Sequence, residues 1–594
     1  MPASDLSFPR KLLFAAILSG CALALLLGGL EAVLRLAGYG HSAHFFRRAT
    51  LPGGETVWRE NRWCTAPYFS EALVRRPQPV RLPEKKAPGT CRIFVLGSSA
   101  AMGDPEASFS LARMLEALLR AAYPQQRFEV VNAAITAINS HLVRGIAEDC
   151  AQLEPDLFIV YEGNNEVIGP FGPAGVFAPF LGTEAGVRAA AWLKRTRTAQ
   201  LLSALSRGGP APAEWGGMEM FMQQQISADD PRLAAVRANF RANLLAIAAA
   251  GRSAGATTLA CTVLTNQRDF APFLSRHRPG LTAAELAQWQ AYCDTAARMQ
   301  QTGDLPEAEA AFRSAYALDD QHAESVFRFG HFALRVGRDA DARDLLQRAL
   351  DLDTLRFRTD SRLNQTIRDL AVTKLPQLEV VDLAAALAPR STHGVIGDEL
   401  LYEHVHLTFR GTYEVARELF PRVTADLAKR GFVSGPVPDP CSYDEARLRL
   451  GYTAHEQAMI AHNLLGRFRR PPFTGQLDNA ARLKTWERHL AAATNLLNQP
   501  ETTPALLKLY QQALARTPDV WILARNAGAM LVSRQAPAEA LPLLARAARW
   551  IDDDIDTLVP LGRAQQALGQ TAEAASTFAQ ARKLEPSHPS LPKE

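Results

Sequence analysis

The sequence predicts an α/β fold: a parallel sheet covered by helices on both faces, joined to helical hairpins and preceded by one apolar helix. Three observations carry this. Between residues 91 and 383, short apolar runs alternate with amphipathic stretches, the pattern of strands buried on both faces. In two regions, small residues recur at an interval of 34 residues. Leu12 to Leu30 is an uncharged run of 19 residues, long enough at ~1.5 Å per residue to cross most of a ~30 Å hydrocarbon layer.

Composition narrows the function classes. The 594 residues exceed one compact core, and 47% hydrophobic with 21% charged residues excludes a wholly disordered or polytopic membrane chain. Net charge is only +4, with no basic stripe interleaved with aromatics, so nucleic acid is not an expected partner. Seven cysteines without a CxxC pair exclude zinc ribbons and thioredoxin chemistry.

Residues 1–40 are expected to hold the anchor. Arg10 and Lys11 precede the apolar run and Glu31 follows it, so the positive-inside rule puts the rest of the chain outside the cytoplasm. Leu18-Ser19-Gly20-Cys21 resembles a lipoprotein signal, but the apolar run continues past Cys21. That favours a signal anchor over a cleaved signal. The localisation this implies is a bacterial inner membrane, crossed once, with the bulk of the chain periplasmic. There Cys64 and Cys91 are candidates for a disulfide, whereas Cys150 and Cys261 fall in core elements.

Residues 41–90 read as a lead-in without periodicity. Strands are expected at 91–96, 128–132, 157–161, 257–264 and 378–383, with helices near 109–122, 142–153 and 233–254. Gly208-Gly209-Pro210-Ala211-Pro212 is a loop signal. The sheet unit therefore has two parts, 91–283 and 357–435, separated by an insert at 284–356. In the insert Gly303, Ala308, Ala315 and Asp319 recur as Gly337, Ala342, Ala349 and Asp353. In 436–594 the same interval relates Ala513, Ala547 and Ala581, and likewise Tyr510, Leu544 and Phe578. Small residues at this period, where two helices cross, make the tetratricopeptide pattern. Its stacked hairpins act as a scaffold or present a concave surface to a protein partner.

Four segments, each expected at the end of a strand, are candidates for chemistry: Gly97-Ser98-Ser99 after the first strand, Asn132 through Ala137 after the second, Tyr161-Glu162-Gly163-Asn164-Asn165-Glu166 at the third, and Glu403-His404-Val405-His406. A hydroxyl just past a buried strand stands at the sheet's carboxyl edge, where open α/β folds bind ligands. Singly each is equally a turn or cap. Together and in this order they resemble the SGNH (GDSL-type) hydrolase family, whose blocks are GDS, N-x-x-x-x-G, GxND and DxxH. The resemblance covers about 91–270 and 365–430.

It implies a flavodoxin-like three-layer fold and a serine esterase that needs no cofactor and no metal. Ser99 would be the nucleophile, His406 the general base and Glu403 the acid that orients it. Backbone N–H groups of Ser99 and Ala137, with the Asn165 amide, would form the oxyanion hole. Glu162, Asn164 and Glu166 would border the substrate. Ser98, Ala137, Glu166 and Glu403 depart from the family's Asp, Gly, Asp and Asp. At position 137, Ala keeps the N–H but makes φ > 0 costly. A metal held by Glu403, His404 and His406, as alternate residues of a strand, is the weaker alternative, because the sequence has no second ligand cluster at metal-site spacing.

The implied reaction is removal or transfer of an O-acyl group, such as acetyl, on a cell-envelope glycan or other small ester. The alternative is a degenerate hydrolase fold serving as a scaffold, its repeats recruiting a partner in envelope polysaccharide assembly or secretion. The three unassigned features are Glu162, the stretch Phe171-Gly172-Pro173, and Arg467 through Phe473.

Overall fold

The structure is a computed structural model that describes residues 8–51, 53–70, 73–206, 216–586, 588 and 590–592. The loop signal at 208–212 and the side chains of Arg10 and Lys11 lie outside the described set. Helix α1 (Phe8–Leu36) contains Leu12–Leu36, with mean hydropathy 2.3 and 0% of that stretch buried. At ~1.5 Å per residue it is long enough to cross a membrane. The helix continues past Glu31, whose carboxylate accepts the backbone N–H groups of Arg197 (3.0 Å) and Thr198 (2.9 Å).

The segment expected to be a lead-in instead folds. β1 (Phe46–Thr50), β2 (Thr56–Glu60) and β3 (Arg81–Pro83) form an antiparallel sheet in that order. Phe45, Val57, Tyr68, Phe69 and Leu82 are buried, and Phe46 meets Phe94 edge-on with ring centroids 6.1 Å apart. These apolar residues find their partners across the fold, so local periodicity never revealed them.

β4 (Thr90–Gly97), β5 (Arg127–Asn132), β6 (Leu157–Tyr161), β7 (Thr257–Cys261) and β8 (Leu378–Val381) form a parallel sheet ordered β5-β4-β6-β7-β8. The order 2-1-3-4-5 opens a crevice at the carboxyl ends of β4 and β6, where successive crossovers leave in opposite directions. α2 (Ser99–Met102) and α3 (Leu111–Ala122) follow β4, and α4 (Ser140–Cys150) follows β5. α5 (Glu184–Lys194), α6 (Arg197–Ser206) and α7 (Arg232–Ser253) lie between β6 and β7. α4 packs on α7.

All seven cysteines are free thiols. Cys64 lies among Asp149 and Glu60, whereas Cys91 lies among Asp156 and Lys86. The two occupy different surroundings, so the expected pair does not form. Cys150 and Cys261 are buried.

Between β7 and β8 stand two helical hairpins, α8 (Ala283–Thr302) with α9 (Leu305–Leu318), and α10 (Ala323–Arg335) with α11 (Asp339–Leu352). Ala308, Ala315, Ala342 and Ala349 are buried at the crossings. The recurring aspartates fasten the insert. Asp319 binds His277 at 2.7 Å, and Asp353 binds Arg358 at 2.9 Å and accepts the Phe273 N–H at 3.0 Å. α12 (Ser361–Arg368) returns the chain to β8, and α13 (Leu383–Leu387) and α14 (Phe409–Lys429) follow it; α14 packs on α3.

α15 (Tyr443–Leu450) and α16 (Ala454–Phe468) share the sheet's core through Leu450, Leu464 and Phe468. Beyond them run α17 (Asn479–Leu497), α18 (Thr502–Arg516), α19 (Trp521–Ser533), α20 (Pro537–Trp550), α21 (Ile555–Ala567) and α22 (Thr571–Leu584). In the pairs α19–α20 and α21–α22, Leu544 and Phe578 press on Gly528 and Gly562 of the neighbouring helix. A Cβ on either glycine would come within 2.5 and 2.6 Å of them. This is a tetratricopeptide-like array. Ion pairs clamp it to the rest: Arg120 grips Asp519 with two bonds of 2.9 and 2.8 Å, and buried Arg59 reaches Asp552 at 3.3 Å.

Gly97 joins the sheet to the crevice. A Cβ there would stand 2.2 Å from the Tyr161 carbonyl oxygen on β6, and strand backbone has no room to yield. Gly97→Ala is expected to lower unfolding free energy by about 1–3 kcal/mol, read as a fall in the urea midpoint at unchanged slope.

Candidate active site

The strand ends bring three of the four segments together. Ser99 opens α2 directly after β4, half-buried, with buried Ser98 before it. The fourth segment is not at a strand end. β8 stops at Val381, and Glu403 to His406 form a tight loop pinched by the Leu401–Leu407 bridge and by Tyr402 N–H donating to the His406 carbonyl at 2.8 Å. His404 and His406 therefore do not alternate along a strand. Their rings stand nearly perpendicular (85°) with centroids 5.7 Å apart.

His406 Nε2 lies 2.8 Å from Ser99 Oγ, and its Nδ1 is hydrogen-bonded to Glu403. Such an arrangement can serve as a nucleophile–base–acid chain, in which the acid sets the tautomer that leaves Nε2 free to accept a proton. Glu403 is wholly buried. Burial works to raise its carboxyl, but His404 and His406 outweigh that and hold it well below the usual carboxylate range. Its second oxygen meets His404 and accepts the Val405 N–H at 3.1 Å. His404 sits among Phe270, Phe273, Phe357 and Phe473, and burial lowers its pKa despite Glu403.

Two groups that the four-block pattern does not contain complete the cluster. Asp104 Oδ2 is 3.2 Å from His406 Nε2, and Arg467 of α16 binds Asp104 at 2.6 and 2.7 Å while standing 3.7 Å from Glu403. Burial opposes ionisation of Asp104, but Arg467 and then His406 hold its pKa below the ordinary value. For His406 burial acts downward, and Glu403 followed by Asp104 carries it above the ordinary value. Arg467 lies in the aromatic–proline stretch that the sequence singled out without assigning. No local pattern links it to Ser99, because the two meet only when α16 packs on the sheet.

The oxyanion candidates also converge. Among the described residues no group accepts from the Ser99 or Ala137 backbone N–H. Ala137 adopts φ 60, the left-handed conformation that its side chain disfavours. Asn165 donates one amide N–H to the Ile138 carbonyl at 2.9 Å, which leaves the second. Ser99, Ala137, Asn165, Asp104, His406 and Arg467 all line one cavity of roughly 410 Å³, inside the ~300–1,000 Å³ range of ligand pockets.

The three expected substrate-border residues lie elsewhere. Asn164 Oδ1 accepts from Thr359 N (3.1 Å) and Oγ1 (2.8 Å). Glu166 accepts from Ser140 N (2.8 Å) and Oγ (2.7 Å) at the start of α4. Glu162 is buried beside Ser98, and burial with the neighbouring Glu166 pushes its pKa well up. None of the three is in the cavity wall. Glu403, His404 and His406 also place potential metal-ligand atoms within 4.8 Å of one another. In this arrangement both Glu403 oxygens and both His406 nitrogens are already engaged in hydrogen bonds or ion pairs.

No family model and no curated protein matches the chain. Solved structures that match include the MamA protein, 11% identical over 50% of this chain and 93% of that one (TM-score 0.14). Another is YrrB, described as a TPR protein with an unusual peptide-binding site, 11% identical over 50% and 88% (TM-score 0.15). A third is yeast Tom70, 14% identical over 50% and 63% (TM-score 0.16). These scores carry no argument about fold, and the helical hairpins described above stand on this chain's own helices.

The electrostatics make a direct prediction. The His406 ring is expected to titrate above about 6.5. Asp104→Asn should lower that value and Arg467→Ala should raise it, since Arg467 opposes the two carboxylates. Histidine-selective NMR titration reads all three.

Proposed function

We propose that the chain is a serine-dependent O-acyl hydrolase or acyltransferase, held at a membrane by α1, with Ser99, His406 and Glu403 as its triad. The observation that carries this is the 2.8 Å contact of His406 Nε2 with Ser99 Oγ, behind which Glu403 is buried against Nδ1. Ser99 Oγ attacks the acyl carbonyl carbon while its proton passes to His406 Nε2. The oxyanion gathers the N–H groups of Ser99, Ala137 and Asn165, each such donor being worth about 3 kcal/mol in the transition state. Collapse expels the alcohol, which takes the proton from His406. Water, or a sugar hydroxyl, then attacks the acyl carbon while its proton passes to His406, and His406 returns that proton to Ser99 Oγ as the acyl group leaves.

Substrates of this reading are O-acylated envelope glycans or other small esters, on the periplasmic side of a bacterial inner membrane. A second reading is favoured by the helical hairpins of the insert and of α19–α22: a scaffold that binds a protein partner of an envelope machine through its repeats.

Ester turnover separates the two. Ser99→Ala is expected to lower short-chain ester hydrolysis by about 10³-fold or more and to abolish fluorophosphonate labelling. Because His406 must be neutral to act as base, kcat/KM should rise with pH as it deprotonates, with a midpoint above about 6.5. Glu403→Gln should cost about 10²–10⁴-fold and shift that midpoint down. Equal hydrolysis by wild type and Ser99→Ala would sink the catalytic reading and leave the scaffold.

A further inference from the structure

Among the described residues, arginines outnumber acidic residues in the wall of the cavity above Ser99. Arg75, Arg467 and Arg470 line it, against Asp104 as the one acidic lining residue among those described. Glu403 stands buried behind that wall. Among the described residues, three guanidiniums thus stand with two carboxylates at this wall.

The three arginines are not equivalent. Arg467 is held by Asp104. Arg469, two residues on, is paired with Glu487 at 3.1 Å. Arg470 differs from both: it is exposed at the cavity, and its side chain makes no hydrogen bond or ion pair with any described residue. Arg75 approaches from the opposite end of the chain. Its Nε donates to Thr136 Oγ1 at 3.2 Å, one residue before the Ala137 oxyanion donor. Burial works to lower its pKa, as expected for a guanidinium held where little water reaches. Planar guanidiniums in such positions bind carboxylate or phosphate through paired, charge-assisted hydrogen bonds. Phe357 and Phe473 supply the cavity's apolar wall, suited to a sugar's C–H face.

Resting on the acyl-chemistry reading above, we propose that the ester accepted here is anionic. It would be a sugar carrying a carboxylate or phosphate near its O-acyl group. Arg470 and Arg75 hold the anion while the acyl carbonyl lies over Ser99. The shared chemistry is a sugar-borne anion, and the substrate arms below distinguish its two sources.

The test uses the full-length protein in detergent micelles and three probes: mono-O-acetylated galacturonic acid, galactose 6-phosphate and galactose. Acetate release is expected to show kcat/KM at least about tenfold higher for one or both charged sugars than for the neutral one. That preference should shrink with added salt and fall several-fold in Arg470→Glu. Whichever charged sugar leads identifies the anion. Equal kcat/KM on all three, or a preference unchanged in Arg470→Glu, overturns the inference while leaving the acyl chemistry intact. A second arm needs no turnover. Ser99→Ala is expected to bind galacturonic acid more tightly than galactose by calorimetry, and equal binding overturns the inference. Absence of both acetate release and fluorophosphonate labelling in wild type is a different failure, that of the acyl reading.

Discussion

A carboxylate removed from water must be compensated, and Glu403 meets that demand from several directions. One oxygen is taken by His406 and the other by His404 and the Val405 N–H, with Arg467 3.7 Å away. His404, Val405 and His406 share the loop with Glu403, but the two histidines and Arg467 each touch a different layer of the structure. His406 reaches forward to Ser99 at the end of β4, His404 is wedged in a shell of phenylalanines, and Arg467 arrives on α16. Satisfying one buried charge thus fixes the short loop at 403–406 relative to the sheet, the aromatic core and the helices that follow. A loop with little regular structure is held rigidly because its acid cannot otherwise remain ionised.

The repeat helices are coupled to this centre. Asp353, which ends the inserted hairpins, accepts the Phe273 N–H and pairs with Arg358. Phe273 packs edge-on against His404, with centroids 5.2 Å apart. Thr359, just past Arg358, is bound by Asn164 next to Asn165 of the cavity wall. The insert's exit therefore braces both the base loop and the loop after β6. From the other side, α16 carries Arg467 to Asp104, and Arg525 of α19 donates to Ser108 Oγ at 2.8 Å.

Much of the architecture was legible because buried parallel strands and helix crossings leave dense local signals. Four of the five strands come within two residues of their expected ends; β7 stops at Cys261, three short of the expected 264. The 34-residue interval marks side chains that do lie at helix contacts, as Gly562 beneath Phe578 illustrates. What escaped is what depends on distant partners. The three-stranded sheet at 46–83 has strands too short and too interrupted for a period. Asp104 and Arg467, separated by 363 residues, carry no spacing that relates them. Asn164 and Glu166 looked like border residues from their place beside Asn165, yet their hydrogen bonds turn inward to Thr359 and Ser140.

The sequence by itself determined the period of each element and hence the succession of apolar helix, parallel sheet, inserted hairpins and terminal array, because those periods follow from backbone geometry. It also supplied Ser99, Glu403 and His406 as reactive residue types, though it placed the last two at a strand end rather than in the short loop they occupy. Only the tertiary structure decided how these meet: it brings Ser99 and His406 to 2.8 Å across 307 positions, adds Asp104 and Arg467, and gives the cavity wall its arginines. Distance, burial and the balance of charge are properties of packing, and packing joins residues whose separation in the chain carries no signal of their contact.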